Sequence, residues 1–525
     1  MKIPEYVLSV DLGTSGPKCA LVDSRGNVLV DEFIEIDLQL LPGGGAEQDP
    51  EEWWTAIRDC IKKLLKRAEI TKEQILAVSC SCQWSGTVAV SKEGKALMNS
   101  LIWLDSRGKK YIQKVTSGFP SIEGYAALKL YRWIRLTGGI PTASGKDPIS
   151  HILYIKNELP EIYSATYKFL EPRDFINLCF SGKFCSSDEA ITLYWLTDNR
   201  NIHNIKYSDT LISYTGIDKE KLPQLVKPGS ILGKVKQDVA LELGLSEETL
   251  IVSGAPDIHA AAIGSGAVND FEAHLYVGTS SWLTCHVPFK KTDIFHNIAS
   301  LPSAIPGRYL AMNEQETAGA CLKFLKQNVL YHKDELLQQE EVPDIYKLFD
   351  KIVERTPQGS KGIIFTPWLY GERTPVEDHS VRAAFYNISL DTTREHMLRA
   401  VYEGVAYNSR WLLQYLEKFA GREMEYINFI GGGAASSIWC QIYADILGRK
   451  IRQVKQPILA NIRGAAFIAF VALGKMSYED VSKAIQIQAE YIPDKKNREL
   501  YNRMFHEFLQ IYHSNKKIYR RINTH

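Results

Sequence analysis

The sequence predicts an α/β protein of two domains, and three observations carry that expectation. Runs rich in β-branched and aromatic residues alternate with helical apolar periodicity in both halves of the chain, as strands followed by covering helices would. At 525 residues the chain is long enough for two or more domains with a large core, and 45% hydrophobic content is that of a folded protein. The tripeptide Gly-Thr-Ser occurs at Gly13-Thr14-Ser15 and again, half a chain later, at Gly278-Thr279-Ser280, each time between two short strand-like runs.

The first hairpin reads Val7-Leu8-Ser9-Val10-Asp11-Leu12, the turn, then Lys18-Cys19-Ala20-Leu21-Val22. A meander through Val30 and Ile34 leads to the loop Pro42-Gly43-Gly44-Gly45. Asp49-Pro50-Glu51 then signals a helix, with Asp49 as cap, proline at the first position and acid in the first turn. Its expected apolar face is Trp54, Ile57, Ile61, Leu64 and Leu65, and residues 75–81 read as a buried strand. Helical stretches are expected over 124–198, broken by a polar loop at 138–148. Leu250-Ile251-Val252 is a strand ending in Ser253-Gly254-Ala255-Pro256, and 258–267 resumes as a small-residue helix closing at glycine. The domain boundary is placed there, giving domains 1–253 and 254–515 and a basic tail 516–525. The second half offers the hairpin Leu275-Tyr276-Val277 and Trp282-Leu283-Thr284-Cys285, a helix over 319–329 and a loop at 366–379. A long helix over 391–419, a strand at 426–430, the loop Gly431-Gly432-Gly433 and two further helices complete it.

Composition excludes several classes. Net charge is +1, and the basic residues form no sustained stripe except Lys516-Lys517-Ile518-Tyr519-Arg520-Arg521, which reads as a solvated end, so no nucleic-acid partner is expected. The short apolar run before Asp11 is neither a signal peptide nor an anchor. No stretch reaches the ~18 apolar residues of a membrane span, residues 464–474 being apolar but too short, so no membrane partner and a cytoplasmic location are expected. Nine cysteines, an odd number without a Cys-x-x-Cys pair, fit a reducing compartment. Cys80 and Cys82 alternate in an apolar strand and read as packing residues.

A tight turn of glycine and small hydroxyl residues converges N–H groups and hydroxyls on one point, which suits phosphate; the same residues are also ordinary turn chemistry. The flanks favour the first reading. Asp11 opens the first turn and Lys18 follows it, and a carboxylate beside a phosphate-binding turn makes sense when a divalent cation sits between them. Two such turns, one per half, would grip a polyphosphate from both sides of a cleft. Asp257 stands at a strand-to-helix junction, where it serves either as a helix cap or as a general base at the mouth of that cleft. Gly431-Gly432-Gly433-Ala434, after a strand and before a helix, is a near miss to a dinucleotide fingerprint, with no acidic residue placed to hold a ribose. It reads as an adenosine pocket or a plain turn. Residues 139–146 fail as a Walker A loop, because five residues separate the glycines and Asp147 replaces the hydroxyl. In Trp103-Leu104-Asp105-Ser106-Arg107 an extended backbone would put Trp103, Asp105 and Arg107 on one face, as a sugar-binding set or as an ion pair beside a buried tryptophan.

Taken in order, these residues resemble the FGGY carbohydrate kinases of the actin-like ATPase superfold, and within them the xylulokinase-like branch. Asp11 to Ser15 with Lys18 is similar to the family's first phosphate motif and Trp103-x-Asp105-x-Arg107 to its substrate motif. The segment 254–266 is similar to the catalytic-base segment, 276–281 to the second phosphate motif and 431–437 to the adenosine motif. The resemblance implies two ribonuclease-H-like domains flanking a central cleft, with ATP and Mg2+ held mainly by the second and a sugar or polyol mainly by the first. It implies Asp257 as base, Gly13, Thr14, Ser15, Lys18, Gly278, Thr279 and Ser280 on the phosphates, and Asp11 with Asp257 at the metal. Gly431, Gly432, Gly433, Ala434 and Ser437 would hold the adenosine. Gln83, Trp84, Ser85, Trp103, Asp105, Arg107 and Asp257 would contact the substrate, and a homodimer is a candidate assembly.

The chain departs from its relatives at the sugar. Where xylulokinases resemble Gly-Gln-Met-His-Gly, it reads Cys82-Gln83-Trp84-Ser85-Gly86, and Ile258 with His259 follows the base where an amide residue is usual. The His is gone, and Trp84 narrows a pocket that Met would leave adaptable. Two rival expectations share these features: a sugar sensor without catalysis, and a nucleotide-driven conformational ATPase like actin or the heat-shock chaperones.

Overall fold

The computed structural model describes residues 4–330 and 344–523. Two sheets organise it, and they repeat one strand pattern. The first has β1 (Tyr6–Gly13), β2 (Gly16–Asp23), β3 (Val28–Phe33), β4 (Ile75–Cys82), β5 (Ile231–Lys234) and β6 (Leu250–Pro256), in the order β5-β6-β4-β1-β2-β3. The hairpin β1–β2 is antiparallel, β4 and β6 run parallel to β1 on its other side, and β5 closes that edge antiparallel. The second sheet is built from β7 (Ala273–Val277), β8 (Ser281–Val287), β9 (Thr292–Asp293), β10 (Ile298–Pro302), β11 (Tyr309–Met312), β12 (Tyr426–Ile430), β13 (Lys450–Val454) and β14 (Ile487–Tyr491). Its order, β9-β10-β11-β8-β7-β12-β13-β14, sets β14-β13-β12-β7-β8-β11 against the first sheet strand for strand, directions included. The duplicated Gly-Thr-Ser is thus the visible part of a duplicated topology.

Each sheet is covered on both faces, so its strands read as continuous apolar runs. On the outer face of the first lie α1 (Pro50–Arg67) and α2 (Pro172–Ser181), burying Ile57, Ile61, Phe175 and Phe180 against Leu8, Val10 and Val78. Asp49 caps α1 by accepting the N–H of Glu51. The buried tryptophan of α1 is Trp53, which continues the stripe of Ile57, Ile61 and Leu64, whereas Trp54 lies beside the stripe and meets Phe180 edge-on at 4.8 Å. The outer face of the second sheet packs on α4 (Arg394–Ala420), α5 (Ser437–Leu447) and α7 (Arg498–Ile522).

Between the sheets lie two crossing helices, α3 (Asp257–Gly264) and α6 (Ala460–Ala472), and they are exchanged. Helix α6 follows β13 of the second sheet but packs on the first, its Ile462, Ala466 and Phe467 against Val7, Ala20, Ala77 and Val252. Helix α3 follows β6 of the first sheet but lays Ile258, Ala261 and Ala262 on Trp282, Ile430 and Val454 of the second. The crossing is glycine-lined and reciprocal: a Cβ on Gly264 would overlap the carbonyl of Ala460, and one on Gly464 would overlap the carbonyl of Ala260.

Several expectations shift in detail. The stretch 124–198 contains the helices Ala127–Thr137, Pro148–Glu158, Pro160–Ala165 and α2, but the short strands Lys168–Leu170 and Cys185–Ser187 interrupt it. The helix expected over 319–329 is α-helical over Gly319–Leu325 and passes into a π-turn at Lys326–Leu330. The boundary expected between residues 253 and 254 falls inside β6, a hydrogen-bonded strand of the first sheet. The basic tail is the end of α7, with residues 524–525 outside the described residues. All nine cysteines are free, and burial pushes the Cys80 thiol up to about 12, as expected of packing residues. No described helix is long and apolar enough to cross a membrane.

Three buried histidines lie at this interface. His274 accepts from Trp282 Nε1 (3.1 Å) and so donates its Nδ1 proton to Thr284; His286 donates Nδ1–H to the Ala267 carbonyl (2.9 Å); and His259 accepts from the N–H of Ala304 (3.4 Å). Burial lowers their pKa values to about 3 for His259 and His274 and about 4 for His286. Because the folded values lie below the unfolded ~6.5, the neutral rings contribute stability above pH ~6.5 that is lost as pH falls toward 4. Between pH 7 and 5 we expect a loss on the order of 2 kcal/mol per ring, measurable as a falling Tm that flattens when His274 and His286 are replaced by Gln. Gly464→Ala should lower stability by ~1–3 kcal/mol through overpacking of the helix crossing, read by chemical denaturation.

Candidate active site

Both Gly-Thr-Ser turns are formed as expected. In the first, Gly13 pairs with Gly16 across a two-residue loop of Thr14 and Ser15; in the second, Val277 pairs with Ser281 across Gly278, Thr279 and Ser280. Their carbonyl oxygens are occupied by the protein. Gln48 Nε2 donates to Thr14 O (2.8 Å) and Ile36 N to Ser15 O (3.1 Å); Gly319 N donates to Gly278 O (2.8 Å) and Ala318 N to Thr279 O (2.9 Å). Some donors are also committed, the Thr14 hydroxyl to Gln83, the Gly278 amide to Ser280 O (2.9 Å) and the Ser280 hydroxyl to Glu314, so the other amides of the turns and the Ser15 and Thr279 hydroxyls are what is left for an anion.

Asp257 is the first residue of α3, and its Oδ1 accepts its neighbour's N–H from Ile258 at 2.8 Å. The cap position falls to Pro256, so Asp257 is the first helical residue rather than the cap, its carboxylate anchored at the helix start. Burial, then the nearby charges of Asp11 and Glu314, push its pKa up to about 8. Those neighbours tie it to both turns: Asp11 lies on β1 just before the first turn, cross-strand from Lys18, and Glu314 is hydrogen-bonded to Ser280 of the second. Burial holds Asp11 above the usual carboxylate range, opposed by hydrogen bonds from Ser81 and Asn461 and by the charge of Lys18. Two desolvated carboxylates, of which Asp11 raises Asp257, suit a hard divalent cation with few protein ligands, the coordination Mg2+ accepts. Among the described residues no group of three or more His, Cys, Asp or Glu forms a ready metal cage.

On the sugar side, the expected residues separate. Gln83 joins the first turn, its Oε1 accepting the Thr14 hydroxyl (3.1 Å) while its Nε2 donates to Gln48 Oε1 (2.8 Å). Trp103 Nε1 donates to Thr14 Oγ1 (3.0 Å), so one network links the phosphate turn to the substrate motif. The segment from Trp103 is a turn rather than extended, closed by Asp105 N to Ile102 O (2.8 Å). Asp105 is fully buried and accepts from Arg107 Nη2 (2.6 Å) and from the N–H of Ala46 (2.9 Å), and Arg107 also meets Glu47 (2.6 Å). These two pin the glycine loop in place. Trp84 is nearly buried, donating to the Ala190 carbonyl (2.8 Å) and meeting His259 edge-on at 5.3 Å, so it packs between the lobes. Ser85 has a left-handed backbone (φ 68°), fixed by its hydroxyl to Lys146 O (2.9 Å) and by Gly86 N to Glu171 Oε2 (3.1 Å).

The Gly431 loop packs on the strand that precedes the second turn. A Cβ on Gly431 or Gly433 would strike Val277, whereas around Gly432, which is exposed, there is open space. Ala434 is buried, and Ser437 opens α5 at the surface. The open side of Gly432 is where a flat base can approach.

Sequence reasoning missed a charged cluster that joins the lobes across the cleft. Lys146, from the loop dismissed as a P-loop, lies 3.8 Å from Glu316 and over the ring of Tyr370; Arg373 pairs with Glu316 (2.8 Å) and with Glu314. Burial works against Glu316, but Arg373 and Lys146 outweigh it and hold it below its usual value. The alternating Glu314-Gln315-Glu316 following a strand was the available sign. Tyr276, named as a strand residue and as the start of the second phosphate motif, is stacked on Trp282 at 3.9 Å and stands close to both Asp11 and Asp257.

The family model described as the N-terminal domain of the FGGY family of carbohydrate kinases matches residues 6–264, and that for the C-terminal domain matches 273–473. The chain is 29% identical to a xylulose kinase from Staphylococcus epidermidis, over 98% of each chain, and 25% identical to a gluconokinase from Bacillus subtilis, over 96% of this chain and 95% of that one. The solved structure of gluconate kinase from Lactobacillus acidophilus shares the fold, with TM-score 0.85 and 24% identity over 99% of this chain and 100% of that one.

Removing the cation from the interlobe cluster leaves Glu314 and Glu316 with a much weaker counter-charge. Arg373→Met should therefore destabilise the protein by ~2–3 kcal/mol, discounted from a fully buried pair because Arg373 is partly exposed, and a denaturant titration measures it.

Proposed function

The chain belongs to the FGGY family of carbohydrate kinases and phosphorylates a carbohydrate at the expense of ATP; from that premise we propose how its residues divide the work. The observation that carries the proposal is the position of Asp257, a carboxylate facing residues at the root of both Gly-Thr-Ser turns.

The half 1–253 holds the sugar and the half 254–515 holds most of the nucleotide. Adenosine lies on the open side of Gly432, with Gly431, Gly433, Ala434 and Ser437 around it, and the phosphates run toward Thr279 and Ser280 from one side and Gly13, Thr14, Ser15 and Lys18 from the other. Asp11 and Asp257 would hold a Mg2+ ion, which would supply neutralising charge on the phosphates. Asp257 accepts the proton of the attacking hydroxyl, that oxygen forms its bond to the terminal phosphorus, and the bond to the bridging oxygen breaks with ADP as leaving group. The protein contributes alignment and exclusion of water more than covalent chemistry.

The substrate we propose is a small sugar, sugar acid or polyol, a class that spans the xylulose kinase and gluconokinase relatives. With the ring donor absent at Ser85, Trp84 buried, and Asp105 and Arg107 paired with each other, Gln83 and Trp103 are the substrate-motif residues joined directly to the first turn. We place the protein in the cytoplasm.

ADP release measured across a panel of ketoses, sugar acids and polyols should pick out one class. Asp257→Asn should then lower kcat about 10²–10⁴-fold; an unaltered kcat would show that another group takes the proton.

A further inference from the structure

Away from the cleft, a cavity of ≈ 140 Å³ opens at the seam where the β2–β3 turn meets the end of β13 and the start of α6. Its lining includes three cations, Arg25, Lys455 and Arg463, with Asn27, Gln456 and Gln486, and no carboxylate. At a water's share of about 30 Å³, the space admits an ion the size of phosphate.

Arg463 is the informative residue. Among the described residues, three arginines are buried to below a twentieth of their surface. Arg173 pairs with Asp174 and Glu189, and Arg399 pairs with Glu403. Arg463 spends Nη2 on the carbonyls of Lys455 (2.9 Å) and Gln456 (3.2 Å), and its buried Nε has no hydrogen-bond partner. Among the described residues no ion pair includes Arg463, Arg25 or Lys455. Burial lowers Arg463 to about 10, so the guanidinium remains charged at neutral pH. It also sits in the first turn of α6, where the helix dipole adds positive potential. An uncompensated buried charge is costly, and four positive features converging on one empty volume need a counter-ion. Asp23, in the adjoining turn, is already committed to the N–H groups of Arg25 and Asn27.

We propose that this seam is a binding site for a phosphate-class oxyanion, separate from the ATP phosphates, that fastens the β2–β3 turn of the first sheet to the segment beneath the glycine loop. The link to that loop is short. Arg463 holds Gln456, whose backbone is left-handed (φ 49°), and the next residue, Pro457, accepts the N–H of Gly431 through its carbonyl at 3.0 Å. Occupancy would steady the turn from which the loop hangs. The ligand is free phosphate or the phosphate group of a sugar phosphate.

The test is a thermal-shift and calorimetric titration of the full chain with inorganic phosphate, against chloride at equal ionic strength, in wild type and in Arg25→Gln/Lys455→Gln. Neither residue touches the cleft, and both are exposed, so the double variant should fold. Saturable binding in wild type that weakens about tenfold or more in the double variant is the expected result. Glucose 6-phosphate in a parallel arm distinguishes the sources: tighter binding than phosphate marks an ester, weaker binding the free ion. No saturable effect beyond chloride, or an equal effect in both proteins, overturns the proposal without touching the kinase assignment. Arg463→Met, if it folds, should abolish the effect and gain stability in phosphate-free buffer.

Discussion

The arrangement depends on one close contact, the crossing of α3 and α6. Two helices can approach to backbone distance only where side chains are absent, and Gly264 and Gly464 supply that absence at reciprocal points. Because each helix belongs in sequence to one sheet and packs on the other, the crossing interlocks two similar halves. It also decides where the chemistry lies. Asp257 begins α3 and Asn461 stands in the first turn of α6, so the helix starts that cover opposite sheets deliver their polar ends to Asp11 between them.

The cleft is held by charge of both signs. Arg373, with Lys146 from the other half, holds Glu316 below its usual range, while burial keeps Glu314, Asp11 and Asp257 above theirs, Lys18 opposing the shift at Asp11. The hydroxyl of Thr14, tied to Gln83 and Trp103, joins the first Gly-Thr-Ser turn to the Gln83 and Trp103 segments in one network, so ordering of either is felt by the other.

Much of this was legible in the sequence because it rests on local chemistry. A capped helix start at Asp49, a glycine turn between β-branched runs and a strand ending at a glycine triplet are short-range signals, and each is formed as read. The duplicated tripeptide disclosed a duplicated sheet. What escaped was tertiary. The exchange of α3 and α6 has no local signature, since a small-residue helix packs equally well on either sheet. Asp105 and Arg107 looked like ligand-facing groups because spacing shows direction only if the backbone is extended, and here a turn folds them onto each other and Glu47. Lys146 was set aside with the failed P-loop motif, yet it reaches Glu316 from the other half of the chain.

The exchanged helices also bear on how the protein is made. The first sheet has all its strands once residue 256 has emerged from the ribosome, but the face formed by Val7, Ala20, Val22, Ala77 and Val252 gains its cover only when Ala460–Ala472 follows. At ordinary elongation rates that interval is on the order of tens of seconds. A nascent chain of this topology carries a greasy, strand-rich surface through half its synthesis, and its yield in a cell is set by what shields that surface meanwhile.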